Sequence, residues 1–200
     1  FQKGPREAPH TLAGRTVPFF GRERELDLLE GVWHEVCDQS VARAIIVSAP
    51  AGVGKTRLRQ ELCERIKQHG PAFELLVGGG DPMLDGAPLS LIGPAIMASA
   101  GLTCGEPEQV KRQRLVAEVE HFLPPGQATR VAAFLGEMAG IPCLVDLPIL
   151  KATRTNPRLM SDQMRMAWLD WIEAICSRHP VLLVLEDLQL GLDNKGRRHR

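Results

Sequence analysis

From Arg22 to Gln39 the apolar residues Leu26, Leu29, Val32, Trp33 and Val36 recur in steps of three and four, which predicts a helix with one buried face. The period then changes. Ala44-Ile45-Ile46-Val47 is a short, β-branched run ending in a glycine-bearing turn, so a buried strand is predicted over about 43–48. Leu58, Leu62 and Ile66 mark a second helix, stopped by Gly70-Pro71 with the glycine expected in a left-handed cap, and Phe73 to Val77 reads as a second strand. Strand, helix and strand in that order predict a parallel, right-handed crossover and an open α/β sheet. Residues 78–90 read as a glycine- and proline-rich loop, followed by an α-rich insertion with helices at about 90–100, 107–122 and 127–139. Met164, Trp168, Trp171, Ile172 and Ile175 predict a further helix over about 161–178, closed by His179-Pro180. Val181-Leu182-Leu183-Val184-Leu185 then reads as a third buried strand running into Glu186-Asp187.

Composition narrows the class. With 44% hydrophobic and 24% charged residues over 200 positions, the chain can bury a real core, which excludes disorder throughout and fits one globular domain. No stretch approaches the roughly 18 apolar residues of a membrane span, and the opening Phe1-Gln2-Lys3-Gly4-Pro5 lacks a secretory apolar run, so a cytosolic location is expected. Phe1 in place of methionine points to a piece of a longer polypeptide, with residues 1–18, which hold Pro5, Pro9 and Pro18, as a linker. The 24 basic and 24 acidic residues balance, but Lys195, Arg197, Arg198 and Arg200 crowd the basic tail at 190–200, leaving the domain body slightly acidic. A nucleic-acid or membrane partner is not expected. Cys37, Cys63, Cys104, Cys143 and Cys176 form no CxxC pair and read as reduced, mostly buried thiols.

The chemistry concentrates in Ala49-Pro50-Ala51-Gly52-Val53-Gly54-Lys55-Thr56. These residues fit the phosphate-binding loop pattern, four free positions and then Gly-Lys-Ser/Thr, with alanine where the first glycine is usual. Successive backbone N–H groups must turn inward around a polyphosphate, and Gly52 and Gly54 permit that curvature. The helix that follows adds positive potential. Lys55 is expected to reach the β and γ phosphates and Thr56 to ligate Mg²⁺; Arg57 completes the segment assigned to nucleotide binding.

The second element is the run from Val181 into Glu186 and Asp187. A strand apolar throughout lies in a sheet, and its carboxyl end is the edge where open α/β sheets bind ligands. A buried strand can equally finish in a solvated acid. Paired with the loop in this order, the two residues become a Walker B candidate, with Glu186 and Asp187 as metal-holding groups and Asp187 as the base that orients an attacking water.

Phe19-Phe20-Gly21-Arg22-Glu23-Arg24-Glu25-Leu26, the loop APAGVGKT and the stretch VLLVLEDLQ together resemble the AAA-type NTPase domain of the STAND group, related to origin-recognition ATPases. The likeness covers residues 19 to about 189 and is strongest to the version fused behind serine/threonine kinases in bacterial regulatory proteins. It implies an AAA-type P-loop NTPase fold, a three-layer α/β/α arrangement around a parallel sheet, here incomplete and carrying the α-helical insertion. It also implies that Phe20, Gly21 and Arg22 contact the adenine and ribose, whereas from the bare residues Arg22, Glu23 and Arg24 can simply be a solvated first helical turn. Members usually continue beyond the acids with a sensor strand and an arginine-bearing lid. This chain instead gives Leu188-Gln189-Leu190-Gly191-Leu192-Asp193 and the basic tail, so truncation after Walker B is the expectation.

The implied function is an ATP-binding, Mg²⁺-dependent switch module of a bacterial signalling protein, with hydrolysis catalysed by Lys55, Glu186 and Asp187. The expected partners are ATP or ADP, neighbouring domains of the same protein and a second copy of the chain. A nucleotide-dependent interaction module without turnover, and an inactive fragment, are the alternatives. His34, His69, His121 and His179 are scattered, and Trp168 and Trp171 share a helical face with Met164 and read as core.

Overall fold

Where apolar residues recur every three or four positions, the chain is helical. The computed structural model describes residues 11–12, 15–16, 21–79, 90–103, 105–142 and 147–188. In chain order it holds β1 (Thr11–Leu12), β2 (Arg15–Thr16), α1 (Glu23–Gln39), α2 (Lys55–His69), β3 (Glu74–Gly79), a 3₁₀ turn (Ser90–Ile92), α3 (Gly93–Ser99), α4 (Glu108–Phe122), α5 (Pro125–Met138), α6 (Pro148–Arg154), α7 (Pro157–Cys176) and β4 (Val181–Glu186). The result is a helix-rich α/β chain with a small parallel sheet. It divides into two compact units, the first ending at Phe73 and the second beginning at Glu74.

In the first unit α1 lies against α2. Leu26 and Trp33 from α1 and Leu58, Leu62 and Ile66 from α2 are buried, and Arg65 of α2 pairs with Asp27 at 2.9 Å and Glu30 at 3.6 Å on α1. Trp33 sets its ring edge-on to Phe73, with centroids 5.2 Å apart. Gly70 ends α2 in an extended conformation, φ −108°, and not in the left-handed cap the sequence suggests. Its need for glycine is steric, because a Cβ there would stand 2.8 Å from the Ile66 carbonyl oxygen. The segment expected to be linker carries the short antiparallel β1–β2 ladder.

The strand expected over 43–48 is not formed. Residues 41–50 hold neither helix nor strand, and Ile45, Ile46 and Val47 are 45%, 86% and 47% exposed. A β-branched run supplies a preference for extended backbone, but a strand exists only through a partner ladder, so the preference alone decides little. The parallel sheet is made instead by β3 and β4, which pair directly from Glu74↔Val181 to Gly79↔Glu186.

The second unit gathers its core around α5, where Ala128, Val131, Phe134 and Leu135 are fully buried against Leu76 of β3, Val119 of α4 and Ala167, Trp171 and Ile175 of α7. Ser99 donates to Glu118 across α3 and α4 at 2.9 Å, and Arg130 pairs with Asp170 across α5 and α7. The Asn156 side chain caps α7 by accepting from the N–H groups of Arg158 and Leu159, each at 3.2 Å. α6 escapes sequence reading because seven residues are too few to display a period. β4 is a strand as expected, but Leu183 is 39% exposed, so its burial is partial. Cys63 is buried, Cys37 half-buried and Cys176 exposed; Cys104 and Cys143 lie outside the described residues. Among the described residues no helix is long and apolar enough to cross a membrane.

Candidate functional site

The loop between residues 49 and 57 is shaped by its two glycines. Gly52 has φ 80° and Gly54 φ 87°, both in the left-handed region that side-chain-bearing residues rarely adopt. Among the described residues nothing lies within 4 Å of a Cβ built on either, so it is the backbone turn, not crowding, that calls for glycine. α2 starts at Lys55 directly behind Gly54, and among the described residues no side chain caps that end. The first N–H groups of a helix lack intrahelical acceptors, and here no side-chain cap takes them up, which keeps a positive helix terminus at the loop.

Lys55 adds charge to that terminus. Its Nζ donates to the carbonyl oxygens of Ala49 at 2.9 Å and Pro50 at 3.1 Å, folding the side chain back over the start of its own loop. Both acceptors are neutral, so neither cancels the ammonium. Ala51, Gly52, Val53 and Thr56 are exposed, and Arg57 is half-buried and pairs with Glu61 one turn further along at 3.6 Å.

The Gly-Arg-Glu segment meets the loop by a route the sequence does not reveal. The Arg22 guanidinium donates through Nη2 to the Val53 carbonyl oxygen at 2.6 Å, joining residues 31 positions apart. Glu23 accepts the Gly21 N–H at 3.1 Å, and hydrogen bonds from its own N–H and then that of Gly21 hold its carboxyl below the usual carboxylate range. Phe20 lies outside the described residues. Alternating charge in a first helical turn signals only solvation, so the tie from Arg22 to Val53 had no sequence signature.

The acids sit in the other unit. Glu186, half-buried, is the last residue of β4 and stands opposite Gly79 in the ladder. Asp187 follows it, exposed and left-handed with φ 52°, a conformation that aspartate tolerates better than most residues. The structure therefore brings Gly21 and Arg22 together with residues 49–57 in the first unit and sets Glu186 and Asp187 side by side in the second. Among the described residues no three or more His, Cys, Asp or Glu side chains cluster to hold a metal ion. Mg²⁺ at a nucleotide keeps water and phosphate oxygens and asks the protein for one or two ligands, so this absence does not bear on it.

A family model described as AAA ATPase domain matches residues 18–197, a span that takes in the Gly-Arg-Glu segment, the glycine loop and both acids. Neither a comparison with curated proteins nor one with solved structures finds a match.

Proposed function

We propose that this chain, which belongs to the AAA ATPase domain family, binds ATP with Mg²⁺ through residues 49–57 and acts as the nucleotide-responsive switch of a bacterial signalling protein. One observation carries the reading: two left-handed glycines open directly onto the uncapped N-terminus of a 15-residue helix whose first residue is Lys55. Backbone N–H groups and the helix terminus supply donors to a polyphosphate, and Lys55 supplies a mobile positive charge. On binding, the ammonium exchanges the carbonyls of Ala49 and Pro50 for phosphate oxygens, trading neutral acceptors for charged ones, which make hydrogen bonds about twice as strong. The Thr56 hydroxyl, exposed in the first turn of α2, is the loop's ligand for the metal. Mg²⁺, when bound, neutralises charge on the phosphates. For the acids at the end of β4 the proposed roles are a metal-holding carboxylate at Glu186 and, at Asp187, a base that would orient a water.

The resemblance to kinase-fused STAND domains extends this reading to a role in which nucleotide state changes how neighbouring domains, or a second copy, engage the chain. Magnesium-dependent binding of a fluorescent ATP analogue tests its base. Lys55→Ala should weaken binding by about tenfold or more, the scale of a lost charge-assisted hydrogen bond. Undiminished binding in that variant overturns the assignment. Asp187→Asn should keep binding and lose phosphate release, which separates turnover from a switch that binds without hydrolysis.

A further inference from the structure

We infer that Arg22 is a positioning residue of the phosphate loop, holding the Val53–Gly54 peptide in the orientation that presents the Gly54 N–H to an anion; this rests on the nucleotide-binding role proposed above. Its guanidinium lies on the Val53 carbonyl oxygen at 2.6 Å, a short charge-assisted hydrogen bond. In a planar trans peptide the carbonyl and the N–H of the next residue point in opposite directions. Fixing the Val53 oxygen therefore fixes the Gly54 N–H on the other side. That peptide needs fixing, because Gly54, at φ 87°, populates either sign of φ with little cost and lets the plane rotate. Val53 is exposed and adds little packing to resist such a rotation.

Arg22 is itself anchored. It precedes α1, its carbonyl accepts the Leu26 N–H at 3.1 Å, and Leu26 is fully buried. The neighbouring Gly21 N–H is held by Glu23. The guanidinium thus carries the rigidity of α1 to the crest of a loop that glycine makes soft. On this geometry Arg22 serves the phosphate end of the nucleotide and not the base.

The test compares wild type, Arg22→Ala and Arg22→Lys, each as the full chain, for magnesium-dependent binding of ATP and of inorganic tripolyphosphate, which has no base or sugar. Positioning predicts that Arg22→Ala weakens both ligands by the same factor, about ten- to a hundredfold for a lost hydrogen bond to a charged donor, and that Arg22→Lys recovers part of each loss. A loss confined to ATP overturns the inference in favour of a base contact. Backbone ¹⁵N relaxation without ligand supplies a readout independent of binding: the order parameter of the Gly54 N–H should fall in Arg22→Ala while those of α1 stay as in wild type. An unchanged order parameter at Gly54 overturns the tether, and a fall throughout α1 marks a merely structural residue. If wild type binds neither ligand, the proposed function fails, and relaxation still decides whether Arg22 orients the loop.

Discussion

Glu23 is a small case of local chemistry with a measurable consequence. Its carboxylate accepts the Gly21 N–H just ahead of Arg22, and backbone hydrogen bonds depress its pKa below the ordinary 4.5. A group whose folded pKa lies below its unfolded value contributes stability above the unfolded value and loses it as pH falls through the folded one. Acidification should therefore leave the Gly21 amide protected through the ordinary carboxylate range and release it only at lower pH, as amide exchange will show. Glu23→Gln, which keeps an acceptor but cannot titrate, should abolish that acid step. Gly78 offers a steric counterpart. A Cβ there would stand 2.2 Å from the Leu91 carbonyl oxygen and 3.0 Å from Leu185 Cδ2, so β3 can lie under the 3₁₀ turn only without a side chain. Gly78→Ala should cost about 1–3 kcal/mol in urea unfolding, the range for overpacking a fitted interior.

At the scale of elements, what the sequence discloses depends on whether an element's signal is internal to it. α1, α2 and α7 were legible because each carries its own three-to-four-residue apolar period over 15 residues or more. β3 and β4 were legible as strands, but not as each other's partners, since a ladder joining Glu74 to Val181 leaves no trace in either segment alone. Ile45-Ile46-Val47 shows the reverse, a strong local preference with no strand to show for it. The same division holds in the site. The glycines and Lys55 were readable from spacing, while the bond from Arg22 to Val53 required the fold. Two substitutions separate pattern from packing here. Ile46→Lys, at a position 86% exposed, should change stability by no more than about 0.5 kcal/mol. Ile66→Ala, at a position 1% exposed, should cost about 2–5 kcal/mol. A loss of several kcal/mol from Ile46→Lys in thermal or urea unfolding would restore the buried strand.

For the whole molecule, the tryptophans divide by unit, and that division lets ligand-linked stability be located. Trp33 belongs to the unit that holds the phosphate loop, while Trp168 and Trp171 belong to the unit that holds Glu186 and Asp187. The buried Nε1 atoms of Trp33 and Trp171 have no hydrogen-bond partner among the described residues, so replacing either indole with phenylalanine removes an unsatisfied donor and partly offsets the lost volume. A Trp168→Phe/Trp171→Phe variant then reports unfolding of the first unit alone, and Trp33→Phe that of the second. A ligand that binds only the folded state stabilises it by about 2.7 kcal/mol at a hundred times its dissociation constant. ATP with Mg²⁺ at that excess should shift the Trp33 signal to higher temperature, and Lys55→Ala should erase the shift. A Trp33 signal indifferent to ATP would remove the phosphate loop from any account of this chain, whatever the acids at the end of β4 do.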